Sequence, residues 1–529
     1  MGSRLFVMCS AMLAACGDAG GSGDELTISL DTGTIHGAAS GEVRHFLGVP
    51  YAAPPVGGRR FRAPGPVAPW AGVREALALG SDCPRASLGN TSQPGSTASD
   101  EDCLFVNVWA PSGAAHLPVM VWLHGGFLFG RDGDAYDDGG KLAARGVIVV
   151  TLSSRLGMFG FLAHPALLAD DASFPTAGNY GLEDQRAALQ WVQRNIAAFG
   201  GDPAKVTLFG ESAGGMETCL QYLSSRTSGL FRAAIAQSGS CGSSLLELPA
   251  AVAQAQGTLI AEAVGCPGSD ATTLACLRAK SPGELFAAQA MVAGPGTPGG
   301  PLFQPVTLPG SLPNVDGLVV AQPSATLAAA GQFEARPVIL GDVRDEGTLF
   351  TSALVATPVA DEAAYRAALA TRFTAGVVDA IVAHYPVTAY PSANAALSEV
   401  INDGFFRCPA ARFASAVLGR GAVAYRYSFE QPLSSPVAPG LGVFHGSELP
   451  FVFGNESFPL GTVGDATALA VAVQHYWTQF ATFVTPNYQG AVAWPPYDAV
   501  TERQLVLAST IATATNLDAA ACGLWDAIQ

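Results

Sequence analysis

The chain is expected to fold as an α/β protein, a mostly parallel central sheet with helices on both faces and long loop and helical insertions. Three observations support this. Val119 to Leu123 and Val147 to Leu152 are short, uniformly apolar runs suited to strands covered on both sides. Gly181 to Phe199 places Leu182, Leu189, Trp191, Val192, Ile196 and Phe199 so that most can share one side of a helix. After Asp202-Pro203, the β-prone residues Val206, Leu208 and Phe209 run into a glycine, and Met216 to Leu223 then resumes helical spacing. Elements alternating in this way build a parallel sheet with helices on both faces.

Taken in order, Leu26 to His36 reads as strands with a turn at Gly33. Phe46 to Tyr51 runs into a proline-rich surface segment ending at Phe61. Pro84 to Asp100 is rich in Ser, Gly, Thr and Pro and lies between Cys83 and Cys103, so it reads as a disulfide-closed loop. Leu104 to Ala110 is a strand by its β-prone residues. Beyond Ser238 the pattern loosens into helical stretches near Ala251 to Val264 and Ala363 to Arg372, with a flexible Gly294 to Gly300 excursion between them. Val338 to Leu340 and Val423 to Tyr427 return as strands, and no internal repeat is visible. The expected division is an export signal at 1–16, a linker at 17–24 and one catalytic domain over 25–529.

A net charge of −16 with no Lys/Arg run disfavours nucleic acid or an anionic membrane surface as partner. Residues Met1 to Cys16 combine Arg4, an apolar run from Leu5 to Leu13 and small residues before Cys16, the pattern of an export signal. The run is too short to span a bilayer. Leu13-Ala14-Ala15-Cys16 also resembles a bacterial lipoprotein box, which would make Cys16 a lipid-bearing tether, with Gly17 to Gly23 a flexible linker behind it. The protein is therefore expected to be exported, as a cell-envelope lipoprotein or a secreted protein. Ten cysteines suit such a compartment, and Cys266 and Cys276 are close enough in sequence to close a small loop. No ligand spacing supports a metal site, no cofactor is expected, and oligomeric state is not readable.

The richest chemistry lies at Gly210-Glu211-Ser212-Ala213-Gly214. Among all the serines only Ser212 is framed as Gly-x-Ser-x-Gly, and it sits between a strand and a helix, the context of a nucleophile elbow. The Ala213 amide would open the helix, where unpaired N–H groups favour a negative oxygen. His124-Gly125-Gly126-Phe127 follows another strand, and its glycines let consecutive amides point at one spot, as an oxyanion hole requires. A serine needs a base, and the base an orienting carboxylate. In the α/β-hydrolase fold the order is serine, acid, histidine, which leaves His384, His445 and His475. His445 stands on a glycine-flanked loop, whereas the other two belong with helical segments, so His445 is the expected base. Asp342, Asp345 and Glu346 all follow the Val338 strand, and local sequence does not choose among them.

Five blocks make the chain resemble the type B carboxylesterase/lipase family, which includes the cholinesterases. They are FLGVPYAAPPVGGRRF from Phe46, EDCLFVNVWAP from Glu101, PVMVWLHGG from Pro118, the long GNYGLEDQ…GESAGG block from Gly178 and GVFHGSELPFVFG from Gly442. The resemblance spans about Leu26 to Trp525. It implies an α/β-hydrolase fold and a serine carboxylesterase acting on small-molecule esters, with Ser212, Glu346 and His445 as triad. It also implies oxyanion donors at Gly126, Phe127 and Ala213 with Gly125 shaping the turn. The implied disulfides pair Cys83 with Cys103, Cys266 with Cys276 and Cys408 with Cys522, leaving Cys219 and Cys241 as buried thiols. Phe127 replaces the family's usual small residue, and Ser153-Ser154 stands where Asn-Tyr is common. The Cys83 to Cys103 loop contains no tryptophan, which disfavours a choline ester. Phe127, Phe129 and Glu211 are expected to shape the substrate pocket. The alternatives are a non-catalytic adhesion protein on the same fold, or a lipase, amidase or acyltransferase using the same triad.

Overall fold

The structure, a computed structural model, describes residues 25–85, 99–126, 138–239, 241–242, 247–292, 309–352, 358–434, 440–455, 457–458, 460–516 and 519–528. The expected tether at Cys16, the Gly294 to Gly300 excursion, Phe127 and Phe129 lie outside them. The large sheet is built from β1 (Ala38–Ser40), β2 (Val43–Pro50), β3 (Phe105–Pro111), β4 (Leu117–Leu123), β5 (Ile148–Leu152), β6 (Gly201–Glu211), β7 (Ala233–Gln237), β8 (Val338–Val343), β9 (Ala424–Phe429), β10 (Gln504–Leu507) and β11 (Ala512–Ala514). Among the described residues these eleven strands lie in the order β11-β10-β9-β8-β7-β6-β4-β5-β3-β2-β1. Strands from β10 across to β5 run parallel, and the pairs at both edges are antiparallel. The mixed edges qualify the expectation of a mostly parallel sheet without changing the fold class.

Why these segments are strands follows from where their side chains go. Along β6, Val206 and Leu208 enter one core while Phe209 enters the other; along β4, Val119, Val121 and Leu123 alternate with Met120 and Trp122 in the same way. A period of two between two apolar faces requires cover on both sides. Helices α1 (Tyr180–Asn195) and α2 (Ala213–Leu223) contribute Trp191, Tyr222 and their neighbours to the first core. A later helix, Thr467–Phe483, brings Trp477 and Phe480 to the second. Trp122 meets Phe209 at 4.8 Å and Phe453 edge-on at 4.9 Å there.

The sequence reading missed β2, because Gly48 at φ 67° and Pro50 interrupt the pattern and the register shifts between Phe46 and Val49. Nor does the adjoining proline-rich segment lie wholly on the surface: Ala52, Ala53, Arg60 and Phe61 are buried. Arg60 explains this, since it pairs with Glu101 and donates to the Leu277 and Lys280 carbonyls, fastening the segment to a helix far along the chain. At the Ser153-Ser154 departure, Ser153 works through its backbone, donating to the Phe105 carbonyl and accepting the Tyr51 hydroxyl at 2.7 Å. Arg155 beside it makes a buried pair with Asp184.

Four disulfides are present among the described residues: Cys83–Cys103, Cys219–Cys241, Cys266–Cys276 and Cys408–Cys522. The second overturns the expectation that Cys219 and Cys241 are free thiols. Cys219 lies on α2 and Cys241 follows β7, and the packing of that helix along its neighbouring strand brings their Cα atoms to 5.4 Å, within bonding range. Four bonded pairs hint at an extracellular or secreted protein. Among the described residues no helix is long and apolar enough to cross a membrane.

Helix α2 also carries a buried carboxyl, Glu217, five residues beyond Ser212. Burial pushes it up to about 8, an effect that the Gln185 amide only partly offsets. The folded chain therefore keeps a proton that the unfolded chain releases near pH 4.5, and stability falls as pH rises from about 4.5 to about 8. Glu217→Gln is expected to flatten that part of a plot of denaturation midpoint against pH. An unchanged slope would show that Glu217 does not carry the proton.

Candidate active site

The parallel strands end on one edge of the sheet, and the chain segments expected to carry chemistry follow those ends. This is where ligands of open α/β sheets bind. Strand β6 stops at Glu211, and Ser212 turns the chain straight into α2. Its φ of 58° and ψ of −122° are a conformation that side chains rarely adopt. The turn is held by Ser212 N donating to the Gln237 carbonyl at 2.9 Å and by Met216 N donating to the Ser212 carbonyl at 2.9 Å. Gly210 and Gly214 are required by contact: a Cβ on Gly214 would strike the Leu123 carbonyl, and one on Gly210 the Gly214 carbonyl. Gly215 lies as closely against Gln237 and Gly239 on β7's side.

Glu346 opens the short helix α3 (Glu346–Thr351), three residues beyond β8. It is fully buried, and Oε1 accepts from the Val343 amide at 2.9 Å. His445 lies on the loop after β9. Its Nδ1 is 2.5 Å from Glu346 Oε2, and its Nε2 is 2.6 Å from Ser212 Oγ. The structure thus brings together three residues that the sequence reading selected from separate segments. The other two carboxylates of the Asp342 to Glu346 segment point elsewhere. Asp342 makes a buried ion pair with Arg426 of β9 at 2.9 Å, and Asp345 pairs with Arg344 and accepts from the Val443 amide. Of the rejected histidines, His384 ends a helix and His475 lies within one, its ring tilted against Tyr488 at 5.2 Å.

Two aromatic rings fix the imidazole from the side. Phe350 and Phe406 lie 4.9 and 5.0 Å from the His445 ring centre and 5.7 Å from each other. Phe350 was legible in principle, because it stands four residues after Glu346 and so on the same helix face. Phe406 was not: it lies in a π-helical segment, Asn402–Arg407, with no local signature in the sequence.

Two further carboxylates, Glu211 and Glu448, lie near His445. Glu211 is 1% exposed, with Oε1 3.5 Å from His445 Nε2, so it flanks the imidazole from within. Burial pushes the His445 ring down, but Glu211 first, then Glu346 and Glu448, pull it up to about 9. Glu448, also buried, is itself raised to about 7 by burial and by the charge of Glu346. Its Oε1 accepts from Gln237 at 3.3 Å, and Gln237 in turn accepts from the Trp477 indole at 3.0 Å. The sequence reading did not single out Glu448 or Gln237.

At the end of β4, the His124 carbonyl and Gly125 lie against the serine turn. A Cβ on Gly125 would lie 2.8 Å from Glu211 Oε2 and 3.2 Å from Ser212 Cβ, so a side chain there would crowd both. Gly126 adopts φ 104°, open to glycine alone. The Ala213 amide is the first of α2, at the positive end of that helix. Among the described residues no group of three or more His, Cys, Asp or Glu stands ready to hold a metal ion.

The model of the carboxylesterase family matches residues 24–525. Three relatives illustrate the range of similarity. An acetylcholinesterase from Bungarus fasciatus is 33% identical over 96% of this chain and 87% of its own length. A fumonisin B1 esterase from Sphingopyxis macrogoltabida is 35% identical over 90% of this chain and 85% of its own. A para-nitrobenzyl esterase from Bacillus subtilis is 36% identical over 92% of this chain and 95% of its own. With its α/β-hydrolase sheet, a family match across nearly its whole length and these esterase relatives, the chain belongs to the carboxylesterase family and is a carboxylic ester hydrolase.

Proposed function

We propose that the protein cleaves small-molecule carboxylic esters through a Ser212-His445-Glu346 triad and an acyl-enzyme. The observation that carries this reading is the unbroken chain of short contacts from Ser212 Oγ through His445 to Glu346. As Ser212 Oγ attacks the ester carbonyl carbon, His445 Nε2 takes its proton, and Glu346 steadies the resulting imidazolium. The carbonyl oxygen becomes an oxyanion for which the proposed donors are the amides of Gly126 and Ala213 and, outside the described residues, Phe127, with Gly125 giving the turn its shape. Collapse of this adduct expels the alcohol, which leaves with the proton from His445. Water then repeats the sequence on the acyl-serine, giving its proton to His445, and the acid departs as Ser212 Oγ is reprotonated.

The three relatives are named for acetylcholine, fumonisin B1 and para-nitrobenzyl esters, which share an ester bond and little else. With no tryptophan between Cys83 and Cys103 to receive a quaternary ammonium, an uncharged short-chain aryl ester is the substrate of choice for a first assay. Phe127 and Phe129, outside the described residues, remain proposed pocket residues. The strands of the sheet are drawn from 38 to 514, which favours reading 25–529 as one catalytic unit. Cys16 is proposed to carry a lipid and tether the exported protein to a membrane. The mass of the mature N-terminus tests this, and an unmodified terminus would reject it.

Ser212→Ala is expected to lower turnover of a short-chain aryl ester by at least ~10⁴-fold. Hydrolysis at the wild-type rate would sink the triad. In the wild type, kcat/KM is expected to rise with pH along a limb well above the ordinary histidine range, toward about 9, because the base must lose its proton to work. Glu211→Gln removes the largest upward pull, so the limb should move to lower pH. A limb that stays in place would show that Glu211 does not act on His445.

A further inference from the structure

Asp345 stands one residue before Glu346 and reaches the loop that carries His445. Its backbone N donates to the Val443 carbonyl at 3.0 Å, and its Oδ2 accepts from the Val443 amide at 2.7 Å. Val443 is two residues before His445. Together with an isolated bridge between Asp345 and Phe444, these contacts make a one-rung ladder between the acid turn and the base loop. Beside it, the Thr348 hydroxyl lies 2.7 Å from both the Asp345 and the Leu441 carbonyl oxygens. Gly442 completes the seam. It adopts φ 68°, and a Cβ there would strike the Asp345 carboxylate, so the loop can lie this close only because residue 442 is glycine.

The Arg344–Asp345 ion pair does not explain why a carboxylate is needed here. Arg344 is about half exposed, at 47%, and neighbours Asp345 in sequence, so the pair does not join separate segments and solvent screens it. The contacts that do join separate segments run from Asp345 and Thr348 to residues 441–443. The 2.5 Å contact between Glu346 and His445 lies immediately beyond this seam, and each partner is within two residues of a clamped position.

We propose that Asp345, assisted by Thr348, is a positioning residue that pins the His445 loop to the Glu346 turn and so sets the geometry of the acid–base contact. The proposal rests on the triad reading above. Asp345 touches no reacting atom and acts through the loop alone. Without it the loop keeps its path but gains freedom to slide along the α3 turn, and misplacement of a catalytic group by about 1 Å can cost on the order of 10²-fold in rate.

The test compares Asp345→Ala, Asp345→Asn, Thr348→Val and Glu346→Ala in the full-length protein with an aryl ester. Asp345→Ala is expected to lower kcat by ~10²-fold with KM near its wild-type value, since substrate contacts are untouched. Its acid limb should move to lower pH, because a looser Glu346 pulls less on the imidazolium. Asp345→Asn keeps an oxygen able to accept from the Val443 amide and should restore most of the turnover. Thr348→Val should shift the limb in the same direction by less, and it carries the test if Asp345→Ala does not fold; an unshifted limb then overturns the proposal. If Glu346→Ala is inactive while Asp345→Ala changes only thermal stability, leaving kcat and the pH profile as in the wild type, the clamp is overturned and the triad stands. If Glu346→Ala keeps wild-type turnover, the triad reading falls and the clamp with it.

Discussion

At Ser212 a strand has to become a helix within one residue, and the rest of the site is arranged around that requirement. A backbone at φ 58° and ψ −122° costs on the order of 1 to 3 kcal/mol and persists only where its surroundings leave no alternative. Those surroundings are β4 and β7, which close on β6 from either side. Leu123 of β4 fills the space that a Cβ on Gly214 would need, and Gln237 of β7 takes the Ser212 amide while crowding Gly215. Because the glycines let these strands in, the end of β4 arrives with Gly125 against the serine. Where a negative oxygen would be received is thus set by the same packing that strains the turn.

The second organising force is electrostatic. Three glutamates face one buried imidazole, yet they differ in what they do. Glu346 is bonded to Nδ1, Glu211 lies by charge alone near Nε2, and Glu448 sits farther back, with its own carboxyl raised to about 7. Full ionisation of all three in so dry a space would be costly, and the rise at Glu448 relieves that cost through a proton. The hydrogen bonds from Gln237 and Trp477 link this acidic cluster to β7 and to the second core, so the charge distribution and the sheet support each other.

How much of this was legible in the sequence depended on distance along the chain. The strand-turn-helix at Ser212 was readable because its signals are local: β-prone residues, a glycine frame and helical spacing within twenty residues. The choice of His445 over His384 and His475 also came from local context. The choice among Asp342, Asp345 and Glu346 could not, since it depends on which way each side chain leaves the end of β8, and resemblance to the family had to supply it. In the structure Asp342 pairs with Arg426 on the adjacent strand, and Asp345 is bonded to the loop at Val443. Phe406 and the Cys219–Cys241 bond were invisible for the same cause, being contacts that only the assembled sheet creates. Strand β2 was lost differently, because a bulge and a left-handed glycine broke its two-residue rhythm.

The strand order also has a consequence in time. Strand β7 is complete by Gln237, but its parallel neighbour β8 does not begin until Val338, and His445 follows Ser212 by 233 residues. At the usual pace of translation the ribosome needs roughly 10 to 50 s to cover that last interval. Until Val338 to Val343 is delivered, β7 lacks its partner on that side and its edge is bare. Such an edge invites pairing with other chains. For this molecule the edge of β7 is covered first, by β8, and the histidine that meets Ser212 is delivered about a hundred residues later.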